Sequence, residues 1–105
     1  MAFGQIKLSK SFQMDIQHKA DRSSGMFFIE EKGETIAEIV YSQTDGQMII
    51  EHTEVDPVLR GKNVGYYLVS RTVEYARENK YTIKPVCVYA KAVIEKHRDM
   101  HDVLA

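Results

Sequence analysis

The residue types best suited to chemistry stand together at Arg60-Gly61-Lys62-Asn63-Val64-Gly65. Two cationic side chains flank one glycine, and a second glycine follows. An apolar, strand-like run from Met48 to Val55 comes just before, and a helical pattern comes just after. A strand that turns through glycine into a helix presents free backbone N–H groups, because the first helical turn has no carbonyls to pair them with. The helix dipole adds partial positive charge at the same end. Glycine removes the bulk that would keep a phosphate away from the backbone. The stretch therefore suits a pyrophosphate, with Arg60 and Lys62 as added cations. It is not a P-loop, since no Gly-Lys-Ser/Thr follows at the required spacing, and Gly-x-Gly-x-x-Gly is absent too. The plainer alternative is a strand-to-helix connection that needs glycine only for its geometry.

Other reactive side chains lie on both sides of this turn. Glu51, His52 and Glu54 are on the strand before it. Histidine is the side chain that most readily exchanges protons near neutral pH. Glu51 and His52 point to opposite faces unless a bulge intervenes. Farther on, the single cysteine, Cys87, ends a strand-like run, and Tyr89 opens a helical one. The plain reading of Cys87 is a buried structural thiol; the sharper one sets it under a helix N-terminus that favours the thiolate. His97, Arg98, His101 and Asp102 have no second ligand cluster to join, so they read as a solvated helix end, and no metal is expected.

The elements that must position these residues follow from periodicity. Residues 13–18 alternate apolar and polar as a half-buried strand does. Asp21-Arg22-Ser23-Ser24-Gly25 is a turn cluster. Strands are expected at 26–30, 35–41 and 47–55, joined by Lys32-Gly33-Glu34 and by Thr44-Asp45-Gly46, a tight hairpin signature. In 63–79, the positions Gly65, Leu68, Val69, Thr72, Val73 and Ala76 share one helical face. Residues 82–88 read as a strand with Pro85 at an edge or irregular position, and 89–98 as a helix. Residues 1–12, as an arm or a short extra strand, and the end at 102–105 carry no clear pattern. The expected fold is α/β (α+β): a mixed, mostly antiparallel sheet, with a strand–helix–strand crossover that makes its two strands parallel.

Composition narrows the class. At 105 residues the chain is one domain, large enough for a core without staples. Lys plus Arg number 14 against 15 Asp plus Glu, so a nucleic-acid surface is not expected. One cysteine permits no internal disulfide and fits a reducing cytoplasm. No run of apolar residues is long enough to span a membrane, and the opening residues lack the apolar stretch of a secretory leader.

The run Val55-Asp56-Pro57-Val58-Leu59-Arg60-Gly61-Lys62-Asn63-Val64-Gly65-Tyr66-Tyr67-Leu68 resembles the acetyl-CoA motif of the GNAT superfamily of N-acetyltransferases. That motif reads Arg/Gln-x-x-Gly-x-Gly/Ala after a strand ending in Val-x-Pro. Arg60 and Gly65 match it, and Asn63 stands where the middle glycine is usual. Asparagine is the non-glycine residue that best tolerates left-handed backbone angles. Lys84-Pro85-Val86-Cys87-Val88-Tyr89 and Glu95-Lys96-His97-Arg98 are further similar to a very short bacterial subgroup, the YjdJ-like acetyltransferases. The likeness covers residues 14–104.

The resemblance implies a truncated GNAT fold, acetyl-CoA as acetyl donor and an amine as acceptor. It places the pyrophosphate on Arg60, Gly61, Lys62, Asn63, Val64 and Gly65, so that Gly65→Glu is expected to abolish CoA binding and leave the fold intact. It pairs the backbone of Glu54 and Val55 with the pantetheine arm as an added strand. Glu51 is the favoured general base, because larger members carry a base or water-binding residue a few positions before the valine that corresponds to Val55. His52 is the second candidate. Cys87 falls beside the thioester, where it could carry an acetyl group, and Tyr89 is the candidate proton donor to the leaving thiolate. The family's acid tyrosine more often lies deeper in that helix, where this chain has Lys96 and His97. The two helices usual after the first strand are missing, so the acceptor is not named. The rival is a non-catalytic acyl-CoA-binding sensor or protein-interaction module.

Overall fold

The sheet is built by turns that the sequence announces. Lys32 and Gly33 have φ of 53° and 80°, and Asp45 and Gly46 have 48° and 79°. Two consecutive positive φ values give the hairpin turn whose twist matches that of the flanking strands. At a third turn Asp21 Oδ1 accepts the N–H groups of Ser23 and Ser24, both at 2.9 Å. These bonds favour the ionised form and hold the Asp21 carboxyl below its usual range. The computed structural model describes residues 14–105; the expected arm at 1–12, like Gln13, lies outside the described residues.

The three turns join β1 (Gln17–Ala20), β2 (Ser24–Glu31), β3 (Glu34–Thr44) and β4 (Gln47–Val55) into an antiparallel meander. Helix α1 (Val64–Asn79) then crosses over to β5 (Thr82–Pro85), which lies parallel to β4. Strand order is β1-β2-β3-β4-β5. Helix α2 (Val88–Lys96) and a 3₁₀ segment (Arg98–Val103) follow. The fold is thus the expected mixed, mostly antiparallel sheet.

Three boundaries are set by contacts that the local pattern does not display. The first strand starts at Gln17; Met14 and Ile16 pack on the core from irregular chain before it. Their alternation records that packing, while the ladder itself is fixed by the Asp21 turn, which pairs Ala20 with Gly25. Helix α1 ends after Asn79, as expected, and the left-handed residue that closes it is Lys80, at φ 57°. Its N–H bonds the carbonyls of Ala76 and Arg77, and Tyr81 N–H also reaches Ala76. The third boundary is the end of β5, which stops at Pro85 and not at residue 88. The N–H groups of Val86 and Cys87 both turn to the Ile50 carbonyl, at 3.1 and 2.9 Å. Cys87 therefore does not end a strand; it is the residue that caps α2.

The core lies between the sheet and the helices. The face of α1 that the periodicity selects is the buried one: Gly65, Leu68, Val69, Thr72, Val73 and Ala76, with Val64 added. It packs on Phe27, Ile39, Tyr41, Met48 and Ile50. The Thr72 hydroxyl is satisfied by donating to the Leu68 carbonyl at 2.9 Å. Each large side chain so buried contributes about 1.5–3 kcal/mol, comparable to a sizeable part of a small domain's net stability. The tail is tied back by Arg77, whose guanidinium bonds both Asp102 oxygens and the Asp99 carbonyl. Leu104 bridges Ile83 in parallel.

Candidate active site

The site begins with an irregularity in β4. Tyr41 pairs with Ile50 and Val40 pairs with His52, so Glu51 is an extra residue with no partner position in β3. This is a β-bulge, which bends a strand and resets its facing. Ile50, Thr53 and Val55, opposite Tyr41, Ile39 and Ala37, share the face toward α1. His52, opposite Val40, takes the other face. The pairing of β4 with β5 also ends here, at Ile50 with Pro85. From 51 to 55, β4 is hydrogen-bonded on its β3 side only, and its other edge opens into a splay.

The turn after β4 prepares the start of α1. Asp56, buried to 4% exposure, accepts the Val58 N–H at 2.8 Å and nucleates a 3₁₀ turn over Pro57–Leu59. Gly61 then adopts φ 82°, and Asn63 adopts φ 56°. The residue expected to stand in for a motif glycine thus takes the left-handed conformation that glycine would supply. Asn63 makes no side-chain cap on α1. Among the described residues, the N–H groups of Asn63, Val64, Gly65 and Tyr66 have no backbone partner, and Tyr67 is the first to bond back, to Asn63. Arg60 and Lys62 are exposed and join no ion pair among the described residues. The result is a row of donors and two free cations at the positive end of a helix.

A cavity of about 410 Å³ lies between this cradle and the splay. Thr53, Val55, Arg60, Gly61, Gly65 and Tyr89 are among its walls. A larger groove, about 790 Å³, runs on between α1 and α2 past Asn63, Tyr66, Tyr67, Tyr89 and Lys96. The smaller cavity adjoins both the open β4 edge and Tyr89. Of the residues expected to hold the cofactor, Val55, Arg60, Gly61, Asn63, Val64 and Gly65 line it. Lys62 stands outside as an exposed cation, and Glu54 is paired in register with Glu38 on the opposite face of the sheet.

Tyr89 lines this cavity, and Cys87 adjoins it through Thr53, another of its walls. Cys87 Sγ lies 3.5 Å from Thr53 Oγ1. Burial pushes the Cys87 thiol up, but the N–H groups of Ala90 and Tyr89, at the start of α2, and the Thr53 hydroxyl outweigh it, so the thiol ionises more easily than usual. Tyr89 moves the other way: burial first, and then the neighbouring Cys87 charge, keep its hydroxyl protonated above the ordinary range. Its hydroxyl packs where a β-carbon on Gly65 would be. Gly65 is therefore needed for the ring as well as for any phosphate. A side chain at position 65, as in Gly65→Glu, must displace the Tyr89 hydroxyl, so loss of CoA binding in that variant would report on the ring as well as on the pyrophosphate.

Glu51 and His52 are not in this cavity's walls. Glu51 is the exposed bulge residue. On the other face of the sheet His52 Nε2 lies 3.0 Å from Glu38 Oε2. Sequence reasoning missed Glu38 and Thr53. Glu38 sits in an alternating strand where a charge reads as solvent-facing, and only the cross-strand register brings it to His52. The groups at 97–102 behave as a helix end: His97 Nδ1 and His101 Nε2 donate to the carbonyls of Val93 and Ile94, at 2.7 and 2.9 Å. Among the described residues no cluster of His, Cys, Asp or Glu forms a metal site, and no helix is long and apolar enough to cross a membrane.

A family model for GCN5-related N-acetyltransferases matches residues 26–103. Among solved structures, the chain is similar to the NMR structure of a GCN5-like protein from Staphylococcus aureus. The two are 32% identical, over 89% of this chain and 91% of that one, with a TM-score of 0.65. It is also similar to nourseothricin acetyltransferase, at 26% identity over 74% of this chain and 49% of that one, with a TM-score of 0.53. A ribosomal-protein-alanine N-acetyltransferase from Brucella melitensis biovar Abortus 2308 shares the fold, at 16% identity over 81% of this chain and 64% of that one, with a TM-score of 0.57. No curated protein matches the chain.

Proposed function

The chain belongs to the GCN5-related N-acetyltransferase family, whose members are acyl-CoA-dependent N-acetyltransferases, and on that premise we propose that it binds acetyl-CoA and transfers the acetyl group to an amine. One observation carries the reading. The unpaired N–H groups of Asn63, Val64 and Gly65 belong to residues that line the same cavity as the unpaired edge of β4. An elongated ligand with a pyrophosphate at one end and amide groups along its arm matches both features at once. Arg60, Gly61, Lys62, Asn63, Val64 and Gly65 would hold the pyrophosphate. The backbone of Glu54 and Val55 would bond the pantetheine amides as a further strand. The groove between α1 and α2 leaves room for the nucleotide end.

Acetyl-CoA supplies a thioester whose carbonyl is open to attack by a neutral amine. The chain must take a proton from the amine and return one to the thiolate. Glu51 and His52 stand at the splay for the first task, and Tyr89, held protonated, suits the second. The easily ionised Cys87 favours a second reading, in which its thiolate takes the acetyl group first and passes it to the amine.

Calorimetric titration of acetyl-CoA, with intact-mass analysis of the protein afterwards, tests both. The wild type should bind, and Arg60→Glu with Lys62→Glu should weaken binding at least tenfold, about 1.4 kcal/mol, with unchanged thermal unfolding. One added acetyl group that is lost in Cys87→Ala supports the acyl-enzyme path. Absence of binding at millimolar acetyl-CoA overturns the reading.

A further inference from the structure

The pair Glu38 and His52 is the feature that the cofactor cavity leaves unused. Glu38 is a carboxylate with 7% of its surface exposed, in the middle of β3. A buried carboxylate is costly unless something donates to it, and His52 Nε2 does so across the sheet at 3.0 Å. A carboxylate only accepts, so the hydrogen sits on Nε2, and Nδ1 carries the lone pair. The side chain of His52 is 51% exposed against 9% for Glu38. One partner is thus fixed in the sheet, and the other presents a bare ring nitrogen outward. A base held by a third group in one tautomer is the arrangement expected of a general base.

Its place in the sheet matters as much. His52 is the first residue after the bulge, two positions beyond the last β4–β5 pair. It therefore borders the splay, on the face opposite Thr53, Cys87, Tyr89 and the N–H cradle. Past Ile50 and Pro85 the two strands are no longer paired, so no ladder closes the sheet between its faces there. Glu51 is equally near, but no bond orients its side chain among the described residues.

Resting on the acetyl-transfer reading above, we propose that Glu38 is a positioning residue that holds His52 as the proton acceptor for the acceptor amine, which enters the splay from the face opposite α1. In the step, the amine nitrogen bonds to the acetyl carbon as the carbon–sulfur bond breaks. The surplus proton on nitrogen passes to His52 Nδ1 and then to water. The departing thiolate is protonated from the α1 side by Tyr89, which recovers its proton from water. Glu38 stays ionised and steadies the imidazolium.

The test combines a spectroscopic and a kinetic readout. Long-range ¹⁵N–¹H spectra, taken where the imidazole is neutral, should show the Nε2–H tautomer of His52 in the wild type. In Glu38→Gln the amide can donate to Nε2, so that tautomer preference should be lost. With spermidine, tyramine and a lysine-containing peptide as probe amines, Glu38→Gln and His52→Gln should each lower kcat about 100-fold. KM for acetyl-CoA and its calorimetric affinity should stay unchanged, which also shows that the variants fold. A wild-type His52 in the Nδ1–H form, or full kcat in Glu38→Gln, overturns the proposal and leaves the acetyl-CoA site standing. No turnover of any probe amine by the wild type overturns it together with the acetyl-transfer reading.

Discussion

The two halves of β4 are one strand with two fates. From Gln47 to Ile50 it is paired with β3 and β5 alike, and Met48 and Ile50 are fully buried. From 51 to 55 it keeps β3 alone, and no residue is fully buried. The first half supplies stability and the second supplies an open backbone edge. The change happens at one bulged residue, Glu51, and at the two N–H groups that turn onto the Ile50 carbonyl. Ile50 is thus the last structural position of the strand and the anchor from which the site opens.

Substitutions should separate the halves. Ile50→Ala removes a fully buried side chain under α1 and should cost about 2–5 kcal/mol in urea denaturation, whereas Thr53→Ala should stay within about 1 kcal/mol. Equal losses at the two positions would erase the distinction. A smaller effect is expected at the seam between cradle and cavity. Gly65→Ala puts a methyl group where the Tyr89 hydroxyl packs, and should cost about 1–3 kcal/mol in thermal unfolding. Acetyl-CoA affinity should fall with it, because both walls of the cavity shift. Wild-type stability in that variant would mean that the ring moves freely.

The smallest effect sharpens the chemistry of the second half. Cys87 ionises below the ordinary thiol range, so its thiolate is favoured in the folded chain. That contribution to stability is present above the unfolded thiol's value and is lost as pH falls through the folded one. Alkylation of Cys87 by iodoacetamide should accordingly persist to lower pH than that of a free cysteine. Thr53→Val removes one stabilising hydroxyl, and the midpoint should rise by less than about one pH unit. An unmoved midpoint would assign the effect to the backbone N–H groups of Ala90, Tyr89 and Thr53.

Much of the molecule was legible in the sequence, and for identifiable reasons. Turns are local, so Lys32-Gly33 and Asp45-Gly46 state their geometry in two residues. The buried face of α1 follows from helical period, and the left-handed Asn63 follows from what asparagine tolerates next to a glycine motif. These features depend on neighbours a few positions away, which a sequence displays directly.

The rest was decided by pairing across the sheet. Whether Glu51 and His52 face together or apart depends on where one unpaired residue falls in the β3–β4 register, and no local preference sets that. Cys87 changed from the end of a strand to the cap of a helix because the Ile50 carbonyl, distant in sequence, captured two N–H groups. Glu38 gained a histidine partner in the same way. The chain by itself determined its turns, its helix face and the left-handed Gly61 and Asn63 of the loop before α1. Only the folded sheet determined which reactive groups share a face, because facing is a property of register.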